Sequence, residues 1–182
     1  MIELGAPMSG DRVSAAPMRE AQREALKAAC AEEREVWAIY PQNFGPDGFD
    51  ASFDRIMALP WVRFTLYDEH RVLIGMSSFL NIFEERQTLE IGATFYRPRF
   101  RGTGINARIK AMMMERAFEC GFTRIEYRVD LRNARSLAAL AKLGAVREGV
   151  MRKDRTTWTG YVRDTVLFSI LRDEWPSARV GA

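Results

Sequence analysis

The sequence predicts an α/β protein in which a mixed sheet carries helices on its faces. Three observations lead there. The chain has 182 residues, 47% hydrophobic and 28% charged, and a chain this size buries roughly 70% of its unfolded surface, enough for one core. Its apolar period switches from helical to alternating and back. One strand–helix–strand unit in the middle requires a crossover between parallel strands.

Each element follows from local composition. Residues 1–10 read as a flexible N-terminus, 11–176 as a single domain and 177–182 as a C-terminal tail. Arg12 to Met18 reads as a first strand, and Arg19 to Trp37, rich in Ala, Glu, Arg and Leu, as a helix. Tyr40 to Gly48 is loop, and Asp50 to Leu59 is a second helix stopped by Pro60. Trp61–Tyr67, Val72–Leu80 and Thr88–Tyr96 form an antiparallel meander with polar turns. Strict alternation in its third strand puts Glu90, Gly92, Thr94 and Tyr96 on one face, and Leu89, Ile91, Ala93 and Phe95 on the other.

A glycine-bearing loop then opens a helix whose Ile105, Ile109, Met112, Met113 and Ala117 make an apolar stripe. Gly121 ends that helix. Thr123–Val129 is a further strand, Asn133–Leu143 a helix ended by Gly144, and Val146–Arg155 with Val162–Leu171 a closing hairpin.

Composition removes several function classes. No apolar run approaches the ~20 residues of a membrane helix, and no cationic start with an apolar stretch marks a secretion signal. Cys30 and Cys120 make no C-x-x-C pair, and His70 is the single histidine. A disulfide scaffold and a metal site are therefore not expected, and the setting expected is reducing and cytoplasmic. The net charge is only +3. Between Glu90 and Glu115, however, lie Arg97, Arg99, Arg101, Arg108 and Lys110 and no acid. Such a block suits an anionic small molecule as well as a nucleic acid.

The most informative stretch is Arg97 to Asn106. A strand runs into Gly102 and Gly104 and then into a helix, whose first amides lack intrahelical partners and can point at a phosphate. Arg99 and Arg101 add charge-assisted donors. Gly-Thr-Gly-Ile-Asn-Ala also fits a dinucleotide fingerprint, but it follows a meander and no further βαβ unit succeeds it.

Arg99-x-x-Gly102-x-Gly104 between strand and helix resembles the coenzyme-A pyrophosphate loop of the GNAT superfamily of acetyl-CoA-dependent N-acetyltransferases. The blocks LEIGATFYRPRFRGTG, VDLRNARSLAALAKLGAVREG and GYVRDTVLFSILRDEW, in that order, resemble its RimJ/RimL-like branch, over about Arg12 to Trp175. The resemblance implies the GNAT fold: N-terminal helices, a meander, a βαβ crossover and a C-terminal hairpin. It implies acetyl-CoA as co-substrate and a primary amine as acceptor, either a peptide N-terminus or a small molecule. Backbone groups of Phe95 and Tyr96 would pair with the pantetheine arm. Arg99, Arg101, Gly102, Thr103, Gly104, Ile105 and Asn106 would hold the pyrophosphate. Asn133 would bond the pantetheine, Ser136 would sit near the sulfur, and Lys142 would reach the adenosine end.

Aminolysis of a thioester needs a proton acceptor and is helped by a donor to the departing thiolate. Superfamily members often carry a tyrosine four residues before the helix-ending glycine, where this chain has Leu140. Ser136 is the replacement donor and Glu90 the candidate base. Glu126 is weaker, because relatives with a catalytic glutamate on that strand have it at the position of Arg128. His70 reads as an exposed turn residue, Cys120 as core and Asp164 as an orienting group for the last hairpin. Trp37, Tyr40, Phe44 and Trp158 are candidate acceptor contacts. Neither a nucleic-acid nor a membrane partner is expected, and the last hairpin offers a surface on which two copies could pair. Rival readings are a non-catalytic acyl-CoA sensor, a dinucleotide enzyme and a nucleic-acid binder.

Overall fold

The protein's structure, a computed structural model, describes residues 3–175. Eight strands form one sheet in the order β1-β2-β3-β4-β5-β6-β8-β7. They are β1 (Met8–Gly10), β2 (Val13–Pro17), β3 (Val62–Asp68), β4 (Leu73–Phe83), β5 (Thr88–Tyr96), β6 (Arg124–Asp130), β7 (Val146–Thr156) and β8 (Val162–Leu171). The helices are α1 (Arg23–Cys30), α2 (Phe49–Ala58), α3 (Ile105–Glu119) and α4 (Ala134–Leu143). All neighbouring strands are antiparallel except β5 and β6. The sheet is therefore mixed, with one βαβ crossover through α3, as the hydrophobic periods predict.

Two cores cover the two faces. Ile109 and Met113 of α3 pack with Phe79, Leu89, Ile125 and Phe168 on one side. Leu26, Trp37, Phe49, Phe53, Met76 and Phe95 form the other core, under α1 and α2. The stripe on α3 is buried as expected, and Met114 and Phe118 are buried as well. The N-terminus also packs on this helix. Residues 1–10 read as a loose end, but Met8–Gly10 pairs with β2, and Gly10 lies against Met112. Three residues without an alternating pattern give no strand signal; pairing with a neighbour makes this one.

The helix expected from Arg19 to Trp37 is shorter and interrupted. After α1 the chain leaves helical geometry, and a 3-10 turn covers Glu35–Ile39. Charge accounts for the break: Glu32 binds Arg97, just past β5, and Glu33 binds Arg101, after the 3-10 turn Pro98–Phe100. Adjacent helical residues do not share a face, so an uninterrupted helix would present only one of the two. Trp37 Nε1 donates to the free carbonyl of Cys30 at 3.1 Å and closes the end of α1.

Strict alternation in β5 also fails. Met76 of β4 opposes Phe95, whereas Ser78 opposes Gly92, so β5 holds one extra residue between these pairs. Ala93, at φ 48°, lies within that bulge. A bulge reverses which face the following residues take. Leu89 and Ile91 thus belong to the α3 core, while Phe95 crosses to the α1–α2 core. The expectation that Leu89, Ile91, Ala93 and Phe95 share a face is corrected.

Candidate active site

The sheet opens at its one parallel junction. Thr88, Leu89 and Glu90 pair with Arg124, Ile125 and Glu126, and no further β5–β6 pairs follow. The bulge at Ala93 turns β5 away. The two strands part into a V, and a cleft of about 1160 Å³ occupies the gap between the α1–α2 side and the α3–α4 side.

The glycine loop sits at one end of this cleft. Gly104 caps α3 at φ 82° and Gly102 lies at φ 77°, a region that favours glycine. A methyl group added at either would meet nothing within 4 Å. The first amides that bond back into α3 are those of Ala107 and Arg108, both to the Gly104 carbonyl, at 3.1 and 3.3 Å. The amides before them, at Ile105 and Asn106, lie at the helix N-terminus beside the cleft. The Ile105 side chain is core, so only its backbone is available. Thr103 Oγ1 donates to the Phe100 carbonyl at 2.7 Å and braces the loop.

The arginines of the positive block are mostly spent on the protein itself. Arg101 binds Glu33, its Nε donates to the Tyr96 carbonyl at 2.9 Å, and its amide donates to Pro98. Arg97 binds Glu32 and the Leu73 carbonyl, and Arg108 pairs with Asp11 at 3.0 Å. Arg99 stacks over Phe100, 4.9 Å from its ring centre. Arg101 lines the cleft, as expected of a phosphate contact, with its guanidinium tying the loop to Glu33. Arg135 and the exposed Lys142, both on α4, line the cleft with no ion pair among the described residues.

On β5 the free edge faces the V. The Phe95 carbonyl lies against Gly75 of β4, so the backbone of Phe95 itself points away from the opening. Its neighbours alternate to the other side. The Thr94 carbonyl accepts from the Tyr40 hydroxyl at 2.7 Å, and the Tyr96 carbonyl accepts from Arg101. Backbone pairing by Phe95 is thus corrected to its neighbours. Burial pushes the Tyr40 phenol up to about 12, which keeps it a donor.

Asn133 caps α4: its Oδ1 accepts from the Ser136 amide at 3.1 Å. Asn133, Ser136 and Leu140 all line the cleft. Glu90 lines it too and is 6% exposed. Asn81 Nδ2 donates to Glu90 at 2.7 Å, and Arg128 Nε lies 3.5 Å away. Burial raises its carboxyl above the usual range, against the pull of Arg128 and Asn81. Glu126 is held by Arg124 at 3.0 Å and Arg128 at 3.1 Å and does not line the cleft.

The four acceptor candidates separate. Tyr40 and Phe44 line the cleft. Trp37 does not: it is fully buried among Tyr40, Phe44 and Phe95, with ring centres 4.7 to 5.4 Å apart. Trp158 is half exposed at the β7–β8 turn, and its Nε1 donates to the Trp37 carbonyl at 2.7 Å, clasping the hairpin to the N-terminal side. Trp37 and Trp158 are therefore a core residue and a clasp. His70 is exposed in its turn, and Asp164 accepts from the Lys153 amide at 2.8 Å within the last hairpin.

Several cleft groups have no side-chain role in the sequence reading, although it names Lys110 in the positive block and Tyr96 for its backbone. Lys110 is buried on α3, 4.2 Å from the Tyr127 ring centre, and burial pushes its ammonium down to about 8. The Tyr96 and Tyr127 hydroxyls are buried without hydrogen-bond partners. Arg128, Arg155 and Arg163 also line the cleft. The available signal was alternation in β8, which isolates Arg163 from Val166, Phe168 and Ile170.

Comparison with known proteins agrees with this geometry. Residues 12–146 match the acetyltransferase (GNAT) domain family. A protein of T. thermophilus described as an acetyltransferase is 31% identical, with a TM-score of 0.85 over 95% of this chain and 94% of that one. A GNAT-family protein of Chromobacterium violaceum ATCC 12472 is 26% identical, with a TM-score of 0.86 over 94% and 88%. RimJ of Mycobacterium smegmatis, in complex with CoA-disulfide, shares the fold at 20% identity and a TM-score of 0.80 over 93% and 89%. Comparison with the curated proteins returns no match. The chain belongs to the GNAT acetyltransferase family, and it is an acetyl-CoA-dependent acyltransferase.

Proposed function

We propose that the protein is an N-acetyltransferase of the RimJ/RimL-like branch, built on one domain spanning residues 11–176, that moves acetyl from acetyl-CoA to a primary amine within a ternary complex. The observation that carries the reading is the V between β5 and β6, with an amide-rich helix start at one end and a buried carboxylate at the junction. Amides of Gly102 to Asn106 hold the pyrophosphate, with Arg99, Arg135 and Lys142 supplying the positive field. The pantetheine arm lies along the free edge beside Thr94 and Tyr96. Asn133, Lys110 and the unpartnered hydroxyls of Tyr96 and Tyr127 offer it polar groups on the α3–α4 side.

The acceptor enters from the α1–α2 side, past Tyr40 and Phe44. Its neutral amine attacks the thioester carbonyl. A C–N bond forms and the C–S bond breaks. Glu90 takes the amine proton, and burial, which raises its carboxyl, makes it a better proton acceptor than an exposed carboxylate. Ser136 at the start of α4 donates toward the departing thiolate. Titrating released thiol while varying acetyl-CoA and a panel of amines tests this. Amine-dependent thiol release is expected. Tight acetyl-CoA binding with no release for any amine would favour the acyl-CoA sensor.

A further inference from the structure

The strand register builds a charged row on the sheet face that carries α1 and α2. Glu90 lies beside Glu126, Glu126 opposite Ser169, Arg128 opposite Leu167 and Asp130 opposite Thr165. Val166 and Phe168 turn to the other core, so alternation keeps Arg163 on the face of Thr165. Arg155 of β7 opposes Arg163.

The charges in this row do not close. Glu148, Arg124, Glu126, Arg128 and Glu90 form one chain of ion pairs, with successive distances of 2.6, 3.0, 3.1 and 3.5 Å. It holds three carboxylates and two guanidinium groups. Asp130 pairs with Arg132 at 2.7 Å and Asp154 with Arg155 at 3.0 Å. Arg163 is 4% exposed; its Nε donates to Thr165 Oγ1 at 2.9 Å, and no carboxylate pairs with it among the described residues. One carboxylate is therefore in surplus on the Glu90 side, and one guanidinium at Arg163. Both line the same cleft, and no ion pair joins them. Buried charges without a direct partner are unfavourable. Arg163 feels Asp130, Asp154 and Glu90 only through space and has no carboxylate in contact among the described residues, and the two surplus groups are of opposite sign.

We infer that the acceptor is a small zwitterion carrying an amine and a carboxylate on one molecule, with its amine at Glu90 and its carboxylate on Arg163. The inference rests on the acetyltransferase reading above. A guanidinium fork matches a planar carboxylate in charge and in geometry. A phosphate would bring nearly two negative charges to one unmatched cation. A polyamine would set a second ammonium against Arg163 and Arg155. A protein N-terminus presents a neutral peptide bond where the carboxylate is wanted. Phe44, Trp61 and Leu80 line the same cleft and suit an apolar side chain. The acceptor class is thus a free α-amino acid or a close relative with an apolar side chain.

The test uses matched pairs: free L-amino acids with apolar side chains against their carboxamides, with an amidated tripeptide alongside. Two readouts run in parallel, thiol release with acetyl-CoA and calorimetric titration of each compound into the protein with and without coenzyme A. For the best pair the acid should exceed its carboxamide by at least about tenfold in kcat/KM and in affinity. In Arg163→Gln this ratio should fall to near one, with Arg163→Lys between; a ratio taken within one protein cancels any loss of folded material. A ratio near one in the wild type, or one unaltered in Arg163→Gln, overturns the inference. Efficient use of the amidated tripeptide alone overturns it too, while leaving acetyl transfer standing. If the protein neither binds coenzyme A nor releases thiol, the acetyltransferase reading falls, and titration without coenzyme A still decides the zwitterion site.

Discussion

Replacing Gly104 by alanine separates the ligand-binding role of the glycine loop from its folding role. At φ 82° a residue with a Cβ costs about 1–2 kcal/mol. The added methyl meets no atom within 4 Å, so no steric term adds to this. For a domain of this length each kcal/mol lowers Tm by about 2–4 °C, so a fall of about 2–8 °C is expected. The effect on acetyl-CoA should be larger in kind. The strained φ should shift the loop backbone that presents the amides before Ala107. Losing one charge-assisted bond to a phosphate costs about 1.5–3 kcal/mol. At 1.4 kcal/mol per factor of ten, affinity should fall about 10- to 100-fold. Calorimetric titration at a temperature well below Tm, beside thermal melts, reads both quantities. Unchanged acetyl-CoA affinity with a lowered Tm would refute the placement of the pyrophosphate. Gly75→Ala is the contrast, because its methyl would lie 2.0 Å from the Phe95 carbonyl and force β4 from β5.

Four further outcomes follow from the site and the fold. Glu90→Gln should lower kcat by about 10²-fold or more and flatten the rise of rate with pH. Because burial raises the folded carboxyl, the stability it contributes is full below its ordinary 4.5 and lost as pH rises through the folded value. The Tm of Glu90→Gln should therefore gain on the wild type from pH 4.5 upward in paired melts. Ser136→Ala should reduce kcat by about 10²-fold with little change in KM for acetyl-CoA, since the Asn133 cap bonds the backbone of Ser136. Trp37→Ala should cost about 3–5 kcal/mol of stability, measured by denaturant unfolding, because Trp37 is a fully buried core residue. Trp158→Phe should remove one bond to the Trp37 carbonyl and lower stability by about 1 kcal/mol, with faster amide exchange in the β7–β8 turn.

The legible parts of this protein are those set by local periodicity. The α3 stripe, the meander, the crossover and the final hairpin all stand where their apolar spacing puts them. The glycine loop was legible because a strand, two glycines and a helix start coincide. The misread parts depend on partners distant in sequence. The interruption after α1 reflects Glu32 and Glu33 meeting Arg97 and Arg101 in the segment after β5. The bulge at Ala93 leaves no residue signature, since alanine gives no hint of a positive φ, yet it decides that Phe95 is core and that β5 leaves β6. Trp37 reads as an acceptor contact because an aromatic cluster beside a loop resembles a pocket wall; packing depth alone distinguishes the two. Charge also misleads when summed along the chain. The arginine block is positive in sequence, but Arg97, Arg101 and Arg108 are paired in space. A buried guanidinium without a direct carboxylate partner among the described residues, Arg163, lies instead on β8, in a stretch with no local excess of charge.

The most direct test of the central claim is calorimetric titration of the wild-type protein with acetyl-CoA, with NADH as the control for a dinucleotide site. The account predicts one acetyl-CoA per chain, a Kd on the order of micromolar, near −8 kcal/mol, and no heat with NADH. Folded protein that takes up no acetyl-CoA, or binds NADH equally well, would contradict it.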